Sequence, residues 1–295
     1  MKASILIISK DRKEALAFTL SRLKSMVDIS IHEILVLLDG CTDGSEELAI
    51  QFDWVDWTVL KDSIGASSAR NLLYKKATGT IFIGFDDDAH PLQDDFITIV
   101  ESIFEQNNNL GIIAFQEIKG VFKNDEEALS QKPNQKVEYL CNEFVGCGFA
   151  ITKNVYLATN GFPLWVDIYG EESCVAIEVL ANNKDILYIN RISVNHRVNM
   201  QARLNSGMNY FRFEKQLKNT VFYFVVYHKN PSFKIMKMLW HNFTKYALQD
   251  RTFFKSYFKT IGIIIVQLPK VLKYRKPVSK SVIKKKQELA SPIFH

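Results

Sequence analysis

The sequence predicts an α/β protein with a mostly parallel central sheet, helices on both of its faces, and a largely helical, basic extension at the C-terminus. Three observations carry this expectation. Short apolar runs alternate with segments of helical periodicity, turn-forming polar residues follow the apolar runs, and the charge is divided unequally along the chain. From Ser206 to His295 there are 18 Lys and Arg against 3 Asp and Glu, a net +15 in a chain of net +5, which leaves −10 on the first 205 residues.

Taken in order, Ala3 to Ser9 (ASILIIS) is a β-rich apolar run, and Arg12 to Met26 places Leu16, Leu20 and Leu23 at helical spacing. Glu33 to Leu38 (EILVLL) reads as a buried strand ending in the turn-rich DGCTDGS, and Ser45 to Gln51 resumes as a helix behind a Ser N-cap. Trp57 to Leu60 is a strand, Ala66 to Ala77 a helix, Thr80 to Phe85 (TIFIGF) a strand, Gln93 to Gln106 a helix and Gly111 to Glu117 a strand. Strands separated by helices return to the same edge and so pair in parallel. Lys119 to Lys136 is polar and unpatterned and reads as a loop; Cys141 to Thr152 and Gly161 to His196 rebuild a second, site-forming half. The domain expectation is therefore a body over residues 1–200, divided into halves at 1–117 and 118–200, with a boundary near Val198 to Ser206 and an extension over 201–295.

A chain of 295 residues, 47% hydrophobic and 23% charged, can bury a large core and is neither disordered nor collagenous. Cys41, Cys141, Cys147 and Cys174 form no CxxC pair, and the N-terminus reads as a strand without a signal-peptide core, so a reducing, cytoplasmic location is expected. Because its lysines alternate with Phe, Tyr, Ile and Leu, the basic tail is expected to lie peripherally on the anionic inner face of the cell membrane; nucleic-acid binding and a merely solvated face are the alternatives. Its longest uncharged apolar stretch, Ile261 to Leu268, is far shorter than the ~20 residues that span a bilayer.

In open α/β sheets, ligands sit beyond the carboxyl ends of the strands. That rule selects Ser9 to Arg12, Asp39 to Ser45 and Asp86 to Pro91. Asp86, Asp87 and Asp88 repel one another unless positive charge lies among them, and hard oxygen ligands suit Mg²⁺ or Mn²⁺ bridging a diphosphate. An isolated acidic triplet is also what a solvated turn looks like; its place after a central apolar strand, beside Asp39, argues for the ligand.

The segments SKDR (Ser9 to Arg12), LLDGCTDGS (Leu37 to Ser45), GASSARN (Gly65 to Asn71), ATGTIFIGFDDDAHP (Ala77 to Pro91), GCGFAITKNVYLATNGF (Gly146 to Phe162) and YGEES (Tyr169 to Ser173) occur in an order that resembles the family-2, inverting glycosyltransferases of the GT-A fold. The resemblance covers Lys2 to about His196. It implies that Asp39 contacts the base or ribose of a nucleotide sugar, with Ser9 and Arg12 bordering that pocket and Arg70 lining the donor site; a surface ion pair is the alternative for Arg70. Asp86 and Asp88 correspond to the DxD motif, with Asp87 counted on the donor side, and His196 to a late histidine that helps hold metal or diphosphate, unless it is only a satisfied polar group.

Glu171 and Glu172 stand where the family has a Glu-Asp pair whose second carboxylate is the catalytic base. Here the second acid is Glu172, one methylene longer, which leaves Glu171 and Glu172 both in contention, with Asp167 the nearest further carboxylate. Two acids opening a helix are also what dipole capping requires. Gly146 and Gly148 permit close approach to an acceptor or simply mark a turn, and Cys147 and Cys174 are read as packing residues.

The resemblance implies a metal-dependent single displacement, with Mn²⁺ or Mg²⁺ as cofactor, from a nucleotide-sugar donor to a hydroxyl of a saccharide or lipid-linked saccharide. A bacterial surface polysaccharide would suit the tail. Competing readings are a degenerate binding module at the membrane and an aspartyl-phosphate phosphatase; the phosphatase motif wants Thr or Val where this chain has His90. No GxGxxG follows a strand, which argues against a nicotinamide enzyme.

Overall fold

A computed structural model describes residues 1–133, 135–198 and 209–293. The first half runs β1 (Ala3–Ser9), α1 (Lys13–Met26), β2 (Glu33–Asp39), α2 (Leu48–Gln51), β3 (Asp56–Leu60), α3 (Ala66–Lys76), β4 (Ile81–Asp86), β5 (Ala89–Pro91) and α4 (Phe96–Gln106). It continues as β6 (Leu110–Lys119), α5 (Asp125–Ser130), β7 (Glu138–Leu140), β8 (Gly148–Thr152), α6 (Lys153–Leu157), α7 (Glu171–Ala181) and β9 (Asp185–His196). The tail forms α8 (Tyr210–Tyr227), α9 (Ser232–Asn242), α10 (Arg251–Leu272) and α11 (Lys280–Glu288).

Period-two alternation in the strands places one core on each face of the sheet. Ile5 and Ile7 of β1 meet Leu16, Leu20 and Leu23 of α1 on one side. Leu6, between them, meets Leu73 of α3 on the other. Burying each of these side chains contributes about 1.5–3 kcal/mol, which is why the apolar runs hold their register.

The strand order is β3-β2-β1-β4-β8-β6-β9-β5, with β7 added beside β9. The expected parallel arrangement holds across β3, β2, β1 and β4. Beyond β4 the sheet becomes mixed, because β6 ends and β8 begins at the same rim, so that β8 runs antiparallel to both β4 and β6. β9 is parallel to β6, and the short β5 pairs antiparallel with its end, setting Ala89 opposite His196. The two expected halves thus share one sheet.

Three local expectations change. The segment 119–136 is not all loop: Asn124 caps α5 by accepting from the Glu127 N–H at 2.9 Å, and three acids in the first turn complement the helix dipole. The segment 45–51 is one 3₁₀ turn followed by a single α turn, and the helix expected from Gln93 starts at Phe96. The expected body–tail boundary at 198–206 lies, apart from Val198, outside the described residues.

The tail helices pack against the body. Val221, Phe222 and Val225 of α8 bury themselves on Val166, Cys174 and Ile177. Tyr227 donates to Glu178 Oε1 at 2.6 Å, and the Asn142 N–H donates to the Ala290 carbonyl at 2.9 Å just past α11. Among the described residues, no helix is long and apolar enough to cross a membrane.

Candidate active site

The aspartate triplet lies at the carboxyl end of β4, and its alternating directions divide its roles. Asp87 turns inward, where it accepts from Ser9 Oγ at 2.7 Å and from Arg12 Nη1 at 3.2 Å. Burial pushes the Asp87 carboxyl up to about 6, against the opposing pull of Arg12 and Ser9. Asp88 takes the stronger Arg12 contact, 2.6 Å to Oδ2. Although burial opposes it, His196 and Arg12 hold the Asp88 carboxyl down at about 2. Ser9 and Arg12 therefore hold the acidic loop in place, and Asp87 anchors it.

Asp39 ends β2 with its carboxylate engaged by the loop leading into α3. It accepts from Ser63 Oγ at 2.7 Å, from the Ile64 N–H at 2.7 Å and from the Gly65 N–H at 3.0 Å. The two adjoining loops are tied together, with Asp11 accepting from the Thr42 N–H at 2.6 Å and Asp43 from the Lys13 N–H at 2.8 Å. The rim beside β1 and β2 is thereby set by backbone and carboxylate hydrogen bonds.

One carboxylate oxygen each from Asp86 and Asp88 and a ring nitrogen of His196 lie within 4.8 Å of one another. Among the described residues, Asp88 Oδ1 is buried without a hydrogen bond, although His196 Nε2 lies 3.2 Å away. Two carboxylates and an imidazole, one oxygen of them orphaned, fit a divalent cation. Glu117, which no sequence motif marks, accepts from His196 Nδ1 at 2.5 Å and so orients the ring with Nε2 toward Asp88. A glutamate near the end of the mostly apolar run LGIIAFQEIK was the signal available. Burial disfavours a charged ring at His196, but Asp88 and Glu117 raise its pKa to about 9.

Across the rim, Arg70 of α3 is buried and reaches two acids, Glu171 Oε1 at 3.1 Å and Asp86 Oδ1 at 3.0 Å, with its guanidinium 5.2 Å from the Phe162 ring. The surface alternative for Arg70 is thus excluded by its burial. Among the described residues, no side chain hydrogen-bonds to Glu172. A Cβ on Gly146 would collide with Glu172 Oε1, so this glycine makes room for that carboxylate. Gly148 instead packs closely against Val194. Burial and the Glu171 charge push the Glu172 carboxyl well above the ordinary carboxylate range, against the pull of Arg70. Cys147 and Cys174 are buried, as expected of packing residues.

The loop before α7 is held by the tail. Asn219 Nδ2 donates to the Ile168 carbonyl at 2.7 Å and the Tyr169 carbonyl at 2.9 Å. Lys215 and Lys218 both pair with Asp167. Against the effect of burial, these lysines hold the Asp167 carboxyl at about 2, so it is committed to ion pairing. Tyr169 (φ 69°) and Gly170 (φ 101°) turn the chain sharply into the two glutamates.

A mixed α/β sheet with an acidic strand-end rim facing a glutamate pair defines a glycosyltransferase of the GT-A type, and comparisons agree. Residues 4–156 match glycosyl transferase family 2, and the chain belongs to that family. Glu171, Glu172 and His196 lie beyond the matched segment.

Among solved structures, GalNAc-T7 with UDP, GalNAc and Mn²⁺ is similar at 14% identity and a TM-score of 0.61, over 79% of this chain and 49% of that one. The chain thus spans about half the length of GalNAc-T7. S. aureus TarS 1–349 is similar at 12% identity and a TM-score of 0.62, over 93% of this chain and 83% of that one. The mannosyltransferase PcManGT from Pyrobaculum calidifontis, in complex with GDP-Man and Mn²⁺, gives 12% identity and a TM-score of 0.58 over 97% and 83%. At such identities the likeness establishes the shared fold. No curated protein matches the sequence.

Proposed function

We propose that the protein transfers a sugar from a nucleotide-sugar donor to a hydroxyl of a saccharide or lipid-linked saccharide, with inversion at the anomeric carbon, in the assembly of a surface polysaccharide. The carrying observation is the two-sided rim. Asp86, Asp88 and His196 gather on one side, Glu172 stands on the other with no side-chain hydrogen bond among the described residues, and Arg70 bridges between them through Asp86 and Glu171.

Asp86, Asp88 and His196 would hold Mn²⁺ or Mg²⁺, and the Mn²⁺ in the GalNAc-T7 and PcManGT structures supports that choice. Such a cation supplies Lewis-acid stabilisation of the departing diphosphate. Arg70 adds a fixed positive charge beside Asp86, and Glu117 keeps His196 oriented. Glu172 takes the proton of the acceptor hydroxyl as it attacks, a role that its raised pKa suits. A base on the face away from the leaving group gives single displacement, hence inversion.

The test is hydrolysis and transfer across a panel of UDP- and GDP-sugars with Mn²⁺, with the anomeric configuration of the product read by NMR. Turnover of at least one donor with inverted product is expected. Intact donors throughout would leave a binding module, and retained configuration would refute the role of Glu172.

The tail supports a peripheral position on the cytoplasmic face of the membrane. Phe233 is 78% exposed, Trp240 67% and Val266 77%, among the exposed Lys237, Lys255 and Lys273. Apolar side chains flanked by lysines complement an anionic lipid surface.

A further inference from the structure

A cavity of about 660 Å³ lies between the N-terminal end of α7 and helices α8, α9 and α10. Tyr169, Gly170 and Ser173 line its inner end, on either side of Glu171 and Glu172 in the chain. Tyr223, Phe224, Tyr246 and Phe253 supply aromatic walls, and Asn209, Gln216, Asn219 and Asn242 supply amides. Arg212 and Lys286 also line it, without any Asp or Glu among the described lining residues.

Asn219 carries an independent sign of a ligand. It is 4% exposed, and its Nδ2 serves the two loop carbonyls, yet among the described residues its buried Oδ1 has no hydrogen-bond partner. A buried amide oxygen left without a hydrogen bond is costly and asks for a donor from outside the protein. A hydroxyl or an N–H of a ligand held in this cavity supplies such a donor. Aromatic faces suit the C–H face of a pyranose ring, and amides suit its hydroxyls. Lys286 is offset by Glu143 and donates to the Asn142 carbonyl, whereas Arg212, exposed and 5.1 Å from the Tyr169 ring, is free to meet an anion such as a phosphate.

We propose that this cavity is the acceptor site and that it takes a phosphorylated saccharide, with a sugar hydroxyl on Asn219 Oδ1 and the phosphate on Arg212. The assignment rests on the glycosyltransferase reading and adds the chemistry of the acceptor to it. It also gives the tail a second role, since its helices wall the site in which the acceptor is held.

The experiment uses the full chain with Mn²⁺ and saturating UDP and GDP, so that the donor side is blocked. Saturation-transfer NMR then compares hexose 1-phosphates and N-acetylhexosamine 1-phosphates with the parent free sugars and with a farnesyl-diphosphate-linked sugar. Sugar phosphates should give signals that the nucleotides do not displace and that the free sugars lack.

Arg212→Gln should weaken that binding about tenfold and Gln216→Ala by less, both being exposed positions that leave the fold and nucleotide affinity intact. Tighter binding of the farnesyl compound than of the sugar phosphate assigns the phosphate to a lipid carrier, and equal binding assigns it to a soluble or polymer phosphate; both support the site. Binding that Arg212→Gln leaves unchanged overturns the proposal, as does silence from every phosphorylated probe while the nucleotide still binds. Failure of the wild-type protein to bind any nucleoside diphosphate with Mn²⁺ overturns instead the donor reading beneath it.

Discussion

Arg70 Nη1 donates to Glu171 Oε1 at 3.1 Å, and this buried ion pair separates the roles of two adjacent carboxylates. Glu171, 5% exposed, is committed to the guanidinium that also holds Asp86. Glu172 is left in the space that Gly146 opens, without a side-chain partner among the described residues.

Glu172→Gln keeps the shape and removes the basicity. Turnover should fall by about 10² to 10⁴, the usual worth of general-base catalysis, while donor affinity changes little. Glu171→Gln still accepts from Arg70 and should lose less. Steady-state kcat with calorimetric donor affinity checks both; an active Glu172→Gln beside a dead Glu171→Gln would move the base by one residue.

The pH profile follows from the same pair. A base must be ionised to act, and burial with the Glu171 charge raises the pKa of Glu172 above the ordinary carboxylate range. The acid limb of kcat/KM should therefore rise with pH through a midpoint above the ordinary carboxylate range. Glu171→Gln removes the repulsion and should shift the limb to lower pH. An unchanged limb in that variant would show that another group is titrating.

Asp88→Asn removes one ligand charge and weakens the partnership with both Arg12 and His196. Metal-dependent binding of nucleoside diphosphate should be lost in calorimetry with Mn²⁺. Asp87→Asn, by contrast, touches an anchor turned toward Ser9 and Arg12 and should weaken the fold more than metal affinity. Equal metal affinity for wild type and Asp88→Asn would remove the cation from this rim.

Asn219→Ala deletes two hydrogen bonds to the loop that presents the glutamates. Leaving those carbonyls unpaired should cost about 1–3 kcal/mol in a denaturant titration. Turnover should fall as well, even with soluble acceptors and no membrane, because the loop loses its hold. Undiminished turnover would confine the tail's contribution to stability.

Membrane attachment is best tested by point changes, because α11 and the residues after it are bonded to the body and their removal would disturb α7. Trp240→Ser with Phe258→Ser removes apolar surface that is 67% and 49% exposed and should release the protein from anionic liposomes. Raised salt should weaken binding of the wild type, since each basic residue near the surface contributes about 1 kcal/mol before screening. Equal sedimentation of variant and wild type would refute the attachment.

The sequence by itself determined the β-α alternation, the parallel first half of the sheet and the delivery of Asp39 and the aspartate triplet to one rim. Those features are local: apolar periodicity sets each element, and the chain crossing between parallel strands must bring every strand end to the same side. What is built from distant segments was decided only by the tertiary structure. The β5–β9 ladder brings His196 to Asp88, β6 brings Glu117 to His196, and α3 carries Arg70 between Asp86 and Glu171. Which of Glu171 and Glu172 is bound up in an ion pair depended on which carboxylate met that guanidinium. The basic tail carried a charge pattern legible in the sequence, but its grip on Asp167 and on the Ile168 and Tyr169 carbonyls arises from the packing of α8 against α7. Side-chain partners far apart in the chain leave no periodicity to read, because burial and charge choose them only once the layers have closed.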